Sequence, residues 1–173
     1  MGLLDLVTID DKVIGNADYI EIHKRGLRHG SVNILAVNAN GELAVAERSG
    51  NQDVSAHKYH VSAGGHNRLG QSYKWAMFDQ LQDELFHGQS LPEDPVINEI
   101  ARYQNDTRPT NNENTVLYLF NSSGPFNLNP QETSQIFWKS VDEINDDLTD
   151  NHDNYTNTFR KAFHEYCEFL ESD

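Results

Sequence analysis

The amino-acid sequence predicts a single α+β domain spanning residues 1–173, with helices packed on a mixed β-sheet. Runs rich in β-branched and aromatic residues, bounded by turn residues, alternate with segments of helical periodicity. A chain of 173 residues is long enough to bury one core without disulfides as supports. No internal repeat and no Pro- or Ser-rich linker divides the sequence. Together these observations favour one folded unit.

Strand signals dominate the first third of the chain. Asp18 predicts the start of a short helix, and Asn40-Gly41 predicts a hairpin turn because both residues tolerate positive φ. The predicted strands of this part span residues 3–9, a return strand within 10–15, 31–38, 42–49 and 59–62.

Helix and strand signals alternate in the rest of the chain. Ser72 predicts the N-cap of a helix over 73–87, which Gly88 ends by taking a left-handed conformation. The last predicted helix, 154–170, is amphipathic, with aromatic and apolar residues spaced by three and four. The remaining predicted elements are strands at 97–103, 115–121 and 134–139 and a helix at 140–148.

The charge and composition exclude several classes of protein. Lys and Arg number 13 against 27 Asp and Glu, a formal net charge of −14, which disfavours extended contact with nucleic acid or an anionic membrane. No run approaches the ~18 apolar residues of a spanning helix, and the first residues lack the pattern of a secretory leader, so a cytoplasmic location is predicted. Since Cys167 is the one cysteine, an internal disulfide and a thiolate zinc site are excluded, and its apolar surroundings favour a buried structural thiol.

A local exception to the acidic charge lies at residues 23–30, HKRGLRHG, where three cations stand between two histidines. With two further arginines they are candidates to bind a diphosphate, because Arg gives bidentate and Lys single contacts to phosphate. An ordinary surface cation is an equally good interpretation of any one of them. The candidates are Lys24, Arg25, Arg28, Arg48 and Arg68.

Polar residues form a stripe on the helix predicted after Gly64 and Gly65. The stripe positions differ by three and four, so they share one helix face. Carboxylates at such a place, opposite a glycine turn that a ligand can approach closely, are suited to hold a divalent cation against a diphosphate. The alternative is a solvated acidic face. The stripe comprises Gln80, Asp83, Glu84 and His87.

The stretch SAGGHNRLGQSYKWAMFDQLQDELF, residues 62–86, resembles the Nudix box, whose pattern is Gly, five residues, Glu, seven residues, Arg-Glu, an apolar residue, one more, Glu-Glu, one more and Gly. Counted from Gly65, the spacing is kept to the residue. The flanking segments 10–50 and 126–144 are similar to the Nudix branch related to isopentenyl-diphosphate isomerase. The resemblance implies a Nudix-type α/β/α sandwich, Mg²⁺ or Mn²⁺ as cofactor, a diphosphate-containing small molecule bound beside Gly64 and Gly65, and a homodimer.

Several box positions depart from the Nudix pattern. Gln71 stands at the first Glu, Asp79-Gln80 replaces Arg-Glu, and Phe86 replaces the last Gly. A glutamine has no charge and accepts no proton at neutral pH, so Gln80 offers a metal at most an amide oxygen. The box is therefore degenerate in its chemistry, though not in its spacing.

Two surviving carboxylates, Asp83 and Glu84, carry the hydrolase hypothesis as metal ligands and catalytic groups, with Glu132 as a candidate base. A rearranged metal site on the same helix would add further side chains, and its histidines would shift the preference from Mg²⁺ toward Mn²⁺ or a later metal. These additional candidate ligands are Asp79, Gln80, His87 and His66.

Isomerase chemistry makes different demands on the sequence. The isomerases of this branch bind a metal through three histidines, whose counterparts would be His23, His29 and His66, and they move the proton with a Cys and a Glu. Gly64 stands at the Cys position, so isomerase activity is not expected. For His23 and His29, a basic loop that contacts phosphate or solvent is favoured over a metal cluster.

Two functions therefore remain open from the sequence. One is a metal-dependent hydrolase of a nucleoside or isoprenoid diphosphate. The other is a catalytically inactive Nudix domain that binds a ligand or a partner protein. Cation binding near Glu84 is required by the first and not by the second.

Overall fold

The computed structural model describes residues 2–52, 55–106 and 110–172. Within these ranges the α-helices are α1 (Tyr19–Arg25), α2 (Tyr73–Gln80), α3 (Val141–Asp150) and α4 (Asn157–Ser172). The strands are β1 (Leu3–Val7), β2 (Val13–Asp18), β3 (His29–Val37), β4 (Leu43–Arg48), β5 (Tyr59–His60), β6 (Ala63–His66), β7 (Ile97–Gln104), β8 (Glu113–Asn121) and β9 (Thr133–Lys139). No helix in the described ranges is long and apolar enough to cross a membrane.

Strand β3 is the centre of the sheet. It runs parallel to β8 and antiparallel to β6, and β8 continues to β7 in antiparallel pairing. Strand β1 joins β3 through one residue pair, Leu6 with His29, and carries β2 at its other edge. Strand β4 takes β9 and β5 as antiparallel neighbours. The predicted α+β class with a mixed sheet is confirmed.

The predicted hairpin between β3 and β4 forms its turn but not its ladder. Gly41 has a φ of 78°, as the turn requires, yet the two strands pair at Val37 and Leu43 alone. They then separate, because β3 is paired by β6 and β8 while β4 is paired by β5 and β9. The Ser62 hydroxyl bridges the gap, accepting the Ala36 N–H at 2.8 Å and donating to the Ala44 carbonyl at 2.6 Å.

The strand predicted at 59–62 is wrong in its extent, and the same divergence explains why. Residues 59–60 form β5 on the edge of β4, whereas residues 63–66 form β6 on the edge of β3. Val61 and Ser62 are the buried link between them. One sequence run is therefore shared by the two separated strands.

Apolar residues pack on both faces of the sheet. One cluster joins the sheet to α2 and includes Val32, Ile34 and Leu81. The other joins the sheet to α3 and α4 and includes Leu35, Ile144 and Phe159. Alternate residues of β3 enter opposite clusters, as expected for a strand buried on both faces. The layers are therefore helix, sheet and helix.

Local capping bonds explain where the helices begin. The side chains of Asp18 and Ser72 accept backbone N–H groups in the first turns of α1 and α2. Ser140 and Glu143 form a reciprocal capping box at the start of α3. The predicted start positions of these helices are confirmed to within a residue.

The predicted helix over 73–87 is wrong at its end. Regular α-helix stops at Gln80, and residues 81–85 form a wider π-helical turn. The segment around Asn127 inserts here, since its N–H donates to the Leu85 carbonyl and its own carbonyl accepts the His87 N–H, both at 2.9 Å. Gly88 ends the segment with a φ of 71°, as predicted. The π-turn shifts the faces of all side chains that follow it.

Candidate metal centre

Three histidines from three different elements meet at one point. His23 lies in the last turn of α1, His29 begins β3, and His66 ends β6. One ring nitrogen of each lies within 4.8 Å of those of the other two. The β3–β6 pairing places His66 opposite Ser31, two residues from His29, which brings two of the rings side by side. The interpretation of His23 and His29 as part of a basic loop is wrong, because His23 lies in α1 and His29 is fully buried in β3.

Two of these imidazoles carry buried nitrogen atoms without a partner. The Nε2 atoms of His23 and His29 have no hydrogen-bond partner in the part of the chain that the structure describes. The Nδ1 atom of His29 lies 2.9 Å from the Leu27 carbonyl oxygen, so Nδ1 carries the proton and Nε2 presents its lone pair. A buried, unpartnered polar atom destabilises a fold by about 1–3 kcal/mol. Such lone pairs fit a metal ion, which would satisfy both.

Glu113 supplies a carboxylate to the same cluster. Its Oε1 atom lies 3.1 Å from Nε2 of His66 and 3.7 Å from Nε2 of His29. Parallel pairing of β3 with β8 sets Glu113 directly opposite His29. The second oxygen, Oε2, accepts a hydrogen bond from the Asn105 side chain at 2.7 Å, which fixes the carboxylate plane. A bond of this kind behind a ligand orients it toward a metal.

Electrostatics at the centre suit metal binding. Burial, together with the neighbouring His66 and His29, lowers the pKa of His23 to about 4, so its imidazole is neutral at neutral pH. Burial raises the pKa of Glu113, but the His29 and His66 imidazoles outweigh that effect and hold it well below the ordinary value. A neutral imidazole and an ionised carboxylate are the protonation states that bind metal ions.

The centre opens on a cleft of about 480 Å³. His23, His66 and Glu113 line one part of it, while Arg48 and the two glycines predicted beside a ligand line another. The cleft also receives side chains that the sequence interpretation missed: Lys58, His60, Asn111, Thr156 and Arg160.

Most of the predicted phosphate-binding cations lie elsewhere. Arg25 pairs with Glu21 on the exposed side of α1, and Lys24 is exposed beside it. Arg28 is held by Asp106 at 2.7 Å. None of these three lines the cleft. Arg48 is the member of the predicted set that does.

No family profile matches the chain. An uncharacterized Nudix hydrolase of Nostoc sp. is 36% identical over 86 residues, covering 49% of this chain and 51% of the relative. An isopentenyl-diphosphate Delta-isomerase of Aliivibrio fischeri is 26% identical over 164 residues, covering 91% of each protein. The NUDIX domain of Shewanella oneidensis NrtR, solved in complex with ADP ribose, superposes with a TM-score of 0.62 at 12% identity, covering 83% of this chain and 88% of that one. The chain is thus similar in sequence to Nudix proteins and has the fold of a Nudix domain. It spans about half the length of the first curated relatives that it matches.

The glycine segment of the Nudix box packs closely against its helix. The Gly64 N–H donates to Oε1 of Glu84 at 2.8 Å. A Cβ atom on Gly65 would lie 2.7 Å from the Gln80 amide, and one on Gly64 would lie 2.9 Å from the Val32 carbonyl oxygen. The stripe predicted opposite the glycine turn does lie there at Gln80 and Glu84, but both side chains contact the glycines directly.

Glu84 is the buried carboxylate of this Nudix box. Its residue is 8% exposed, and burial raises the pKa to about 8 against the opposing hydrogen bond from Gly64. The nearby charges of Glu132 and Asp83 raise it further. A carboxyl group in this environment is partly protonated at neutral pH.

The other predicted box ligands do not converge on Glu84. Asp79 accepts a hydrogen bond from Gln71 at 2.6 Å and lies 3.8 Å from Arg68. The Asp83 side chain is 60% exposed, with the His87 imidazole 3.9 Å away. The spacing argument assumed an α-helix to residue 87, whereas residues 81–85 form a π-turn in which Glu84 is buried and Asp83 is exposed.

Glu132, the predicted base, is held outside the cleft lining. Its Oε2 atom accepts a hydrogen bond from Gln52 at 2.7 Å. Among the described residues, the three histidines form a cluster of metal-ligating groups, and no such cluster lies on α2.

Proposed function

We propose that this Nudix protein is a metal-dependent hydrolase of a diphosphate-containing small molecule, with its metal ion held by His23, His29, His66 and Glu113. The observation that carries the proposal is the convergence of three imidazoles, two with orphaned buried nitrogens, at the edge of an open cleft. The relatives named as Nudix hydrolases and the Nudix domain solved with ADP ribose support a diphosphate ligand.

The donor set favours a transition metal over Mg²⁺. Imidazole nitrogen suits Zn²⁺ and other later metals, with Mn²⁺ tolerated, whereas Mg²⁺ prefers an octahedral shell of oxygen. Three imidazoles and one carboxylate accordingly favour Mn²⁺ or Zn²⁺. A centre that faces a cleft also leaves room for a water or a phosphate oxygen, as catalytic metal sites do.

A bound divalent ion would polarise a phosphoryl oxygen and lower the pKa of water near it. The protein's own groups orient the ligands, neutralise phosphate charge and position the backbone. Asn105 and the Leu27 carbonyl orient Glu113 and His29. Arg48 brings positive charge to the cleft, where it neutralises phosphate charge. Glu84 holds the Gly64 backbone in place, and in our proposal it is a positioning residue and not a ligand.

Isomerisation is not part of the proposal. Gly64 occupies the position of the isomerase Cys, and a Cβ there would press on the Val32 carbonyl oxygen. Cys167 lies in α4, where it packs at the edge of the second apolar cluster. No thiol is therefore present among the described residues that line the cleft.

A catalytically inactive binding domain is the second candidate. The observation that favours it is Gln80, which packs its uncharged amide on Gly65 where the Nudix pattern has a glutamate. Such a domain would keep the cleft and its affinity for a diphosphate without turnover.

The test begins with metal removal and replacement. The wild type, stripped with a chelator, should release phosphate from a panel of organic diphosphates only after Mn²⁺ or Zn²⁺ is restored. Glu113→Gln should lower this activity at least tenfold, while the exposed Glu168→Gln should match the wild type. Diphosphate binding that depends on the metal, without phosphate release, would select the binding domain. Turnover that is indifferent to chelation would contradict both.

A further inference from the structure

A second wall of the cleft gathers three cations. Arg48 ends β4, Lys58 precedes β5, and Arg160 lies in the first turn of α4, so none shares an element with the metal centre. Backbone hydrogen bonds hold the segments that carry these cations next to one another. The Arg48 N–H donates to the Lys58 carbonyl at 3.0 Å, the Thr156 N–H donates to the Tyr59 carbonyl at 2.9 Å, and the Arg160 N–H donates to the Thr156 carbonyl at 3.1 Å.

Among the described residues, two of these cations have no carboxylate partner. Lys58 makes no ion pair in the described ranges, and the contacts of Arg160 there are to Nδ1 and the carbonyl oxygen of His152, at 2.8 and 3.0 Å. This differs from Arg25 and Arg28, which are paired in a chain of net charge −14. Like charges on neighbouring segments repel one another. The acidic side chain on this wall is Asp153, which points almost fully into solvent.

The surface between this wall and the metal centre is hydrophilic. Among the described lining residues, Val32 is the single aliphatic side chain. A prenyl chain would gain little of the ~0.8 kcal/mol that each buried CH₂ contributes in an apolar site, and it would strip water from polar groups. A hydroxylated segment would instead meet donors and acceptors. The polar groups that line this part include Ser31, Asn33, Thr110 and Asn111.

We infer that Lys58, Arg160 and Arg48 form a second anion subsite, and that the ligand is a hydroxylated compound with a diphosphate at the metal centre and a separate phosphate on this wall. The inference rests on the proposed function, since it takes the metal centre as the place of the diphosphate. It adds a requirement that the metal centre alone does not impose, namely two anionic groups held apart by a hydrophilic segment.

The test measures dissociation constants of the Mn²⁺-loaded protein for three probes. 5-Phosphoribosyl 1-diphosphate carries both anionic groups on a hydroxylated five-carbon unit. Isopentenyl diphosphate carries five apolar carbons and one diphosphate, and inorganic diphosphate is the part that they share. The variants are Lys58→Gln and Arg160→Gln, with Lys74→Gln, an exposed lysine of α2, as the matched control.

We expect the phosphoribosyl probe to bind at least tenfold more tightly than isopentenyl diphosphate. Each cleft variant should weaken the phosphoribosyl probe about tenfold and change inorganic diphosphate less than twofold, while Lys74→Gln changes neither. Equal losses for all probes, or isopentenyl diphosphate as the tightest ligand, would overturn the second subsite and leave the metal-dependent function standing. A protein that binds no probe with or without Mn²⁺ would overturn both.

Discussion

The histidine centre and the Nudix box helix are two regions that both offer metal-binding side chains, yet the structure treats them differently. At the centre, buried imidazole nitrogens are left without partners beside an anchored carboxylate. On the box helix, Asp79 and Asp83 are satisfied by neighbouring side chains or by solvent. The comparison favours the histidine centre as the metal site that we propose, because its unsatisfied groups converge and the acids spaced along the helix do not.

The largest expected effect is on Mn²⁺ affinity, when a histidine of the centre is replaced. His66→Gln removes one of three imidazoles and should weaken Mn²⁺ binding at least a hundredfold, because no other described group is placed to replace that ligand. His87→Gln, on the box helix, should leave the affinity within twofold. Calorimetric titration of chelator-stripped protein measures both. If His66→Gln keeps its affinity and His87→Gln loses it, the metal binds on the box helix and not at the histidine centre.

A second prediction concerns the glycines that separate the two regions. Gly64→Ala should destabilise the fold by about 2 kcal/mol, because the new Cβ lies 2.9 Å from the Val32 backbone oxygen, which cannot move freely. Gly65→Ala should have a smaller effect, since the obstructing group is the end of the flexible Gln80 side chain. Urea unfolding measures both. The reverse order would show that Gln80 is locked in place.

A third prediction tests Glu84 by pH. Its pKa is raised to about 8 in the folded protein, so between the unfolded value near 4.5 and pH 8 the folded state binds more protons, and stability falls as pH rises. Glu84→Gln should remove this dependence. In metal-free protein, we expect the variant to gain about 3 kcal/mol relative to the wild type between pH 5.5 and pH 8.5. Parallel stability curves over that range would mean that Glu84 titrates normally.

The smallest expected effects are on the exposed acids of the box helix. Asp79→Asn and Asp83→Asn should change the free energy of unfolding by less than about 0.5 kcal/mol, since surface ion pairs contribute little. Their Mn²⁺ affinity should stay within twofold of the wild type. Loss of metal from Asp83→Asn in the same titration would restore the ligand role predicted from the sequence.

Local chemistry explains which parts of the fold could be predicted. Asp18 and Ser72 satisfy backbone N–H groups within a few residues, and Gly41 and Gly88 supply positive φ where the chain turns. Such signals depend on neighbours in the sequence. The π-turn at 81–85 could not be predicted in this way, because it depends on Asn127, some forty residues along the chain.

The same difference between local signals and distant contacts decides which residues of the candidate site could be predicted. Gly65, Arg48 and His66 were found because they belong to, or flank, recognisable motifs. Glu113 lies in an Asn-rich segment without a motif, and it reaches His29 through parallel pairing of strands that are 84 residues apart. Lys58 and Arg160 were also missed, because no motif surrounds them and the fold brings them to the cleft from segments far apart in sequence.

The Asn105–Glu113 hydrogen bond links a proposed metal ligand to the rim of the cleft. Asn105 also donates its backbone N–H to the Glu113 carbonyl, and the Glu113 N–H donates to Asp106, so one loop carries both a ligand and its anchors. Thr110 and Asn111 of that loop line the cleft. In the proposed metal-bound protein, a shift of the ion would therefore shift residues that line the cleft. If the metal raises the affinity for substrate by some factor, the substrate must raise the affinity for the metal by the same factor, so saturating substrate should lower the Mn²⁺ dissociation constant.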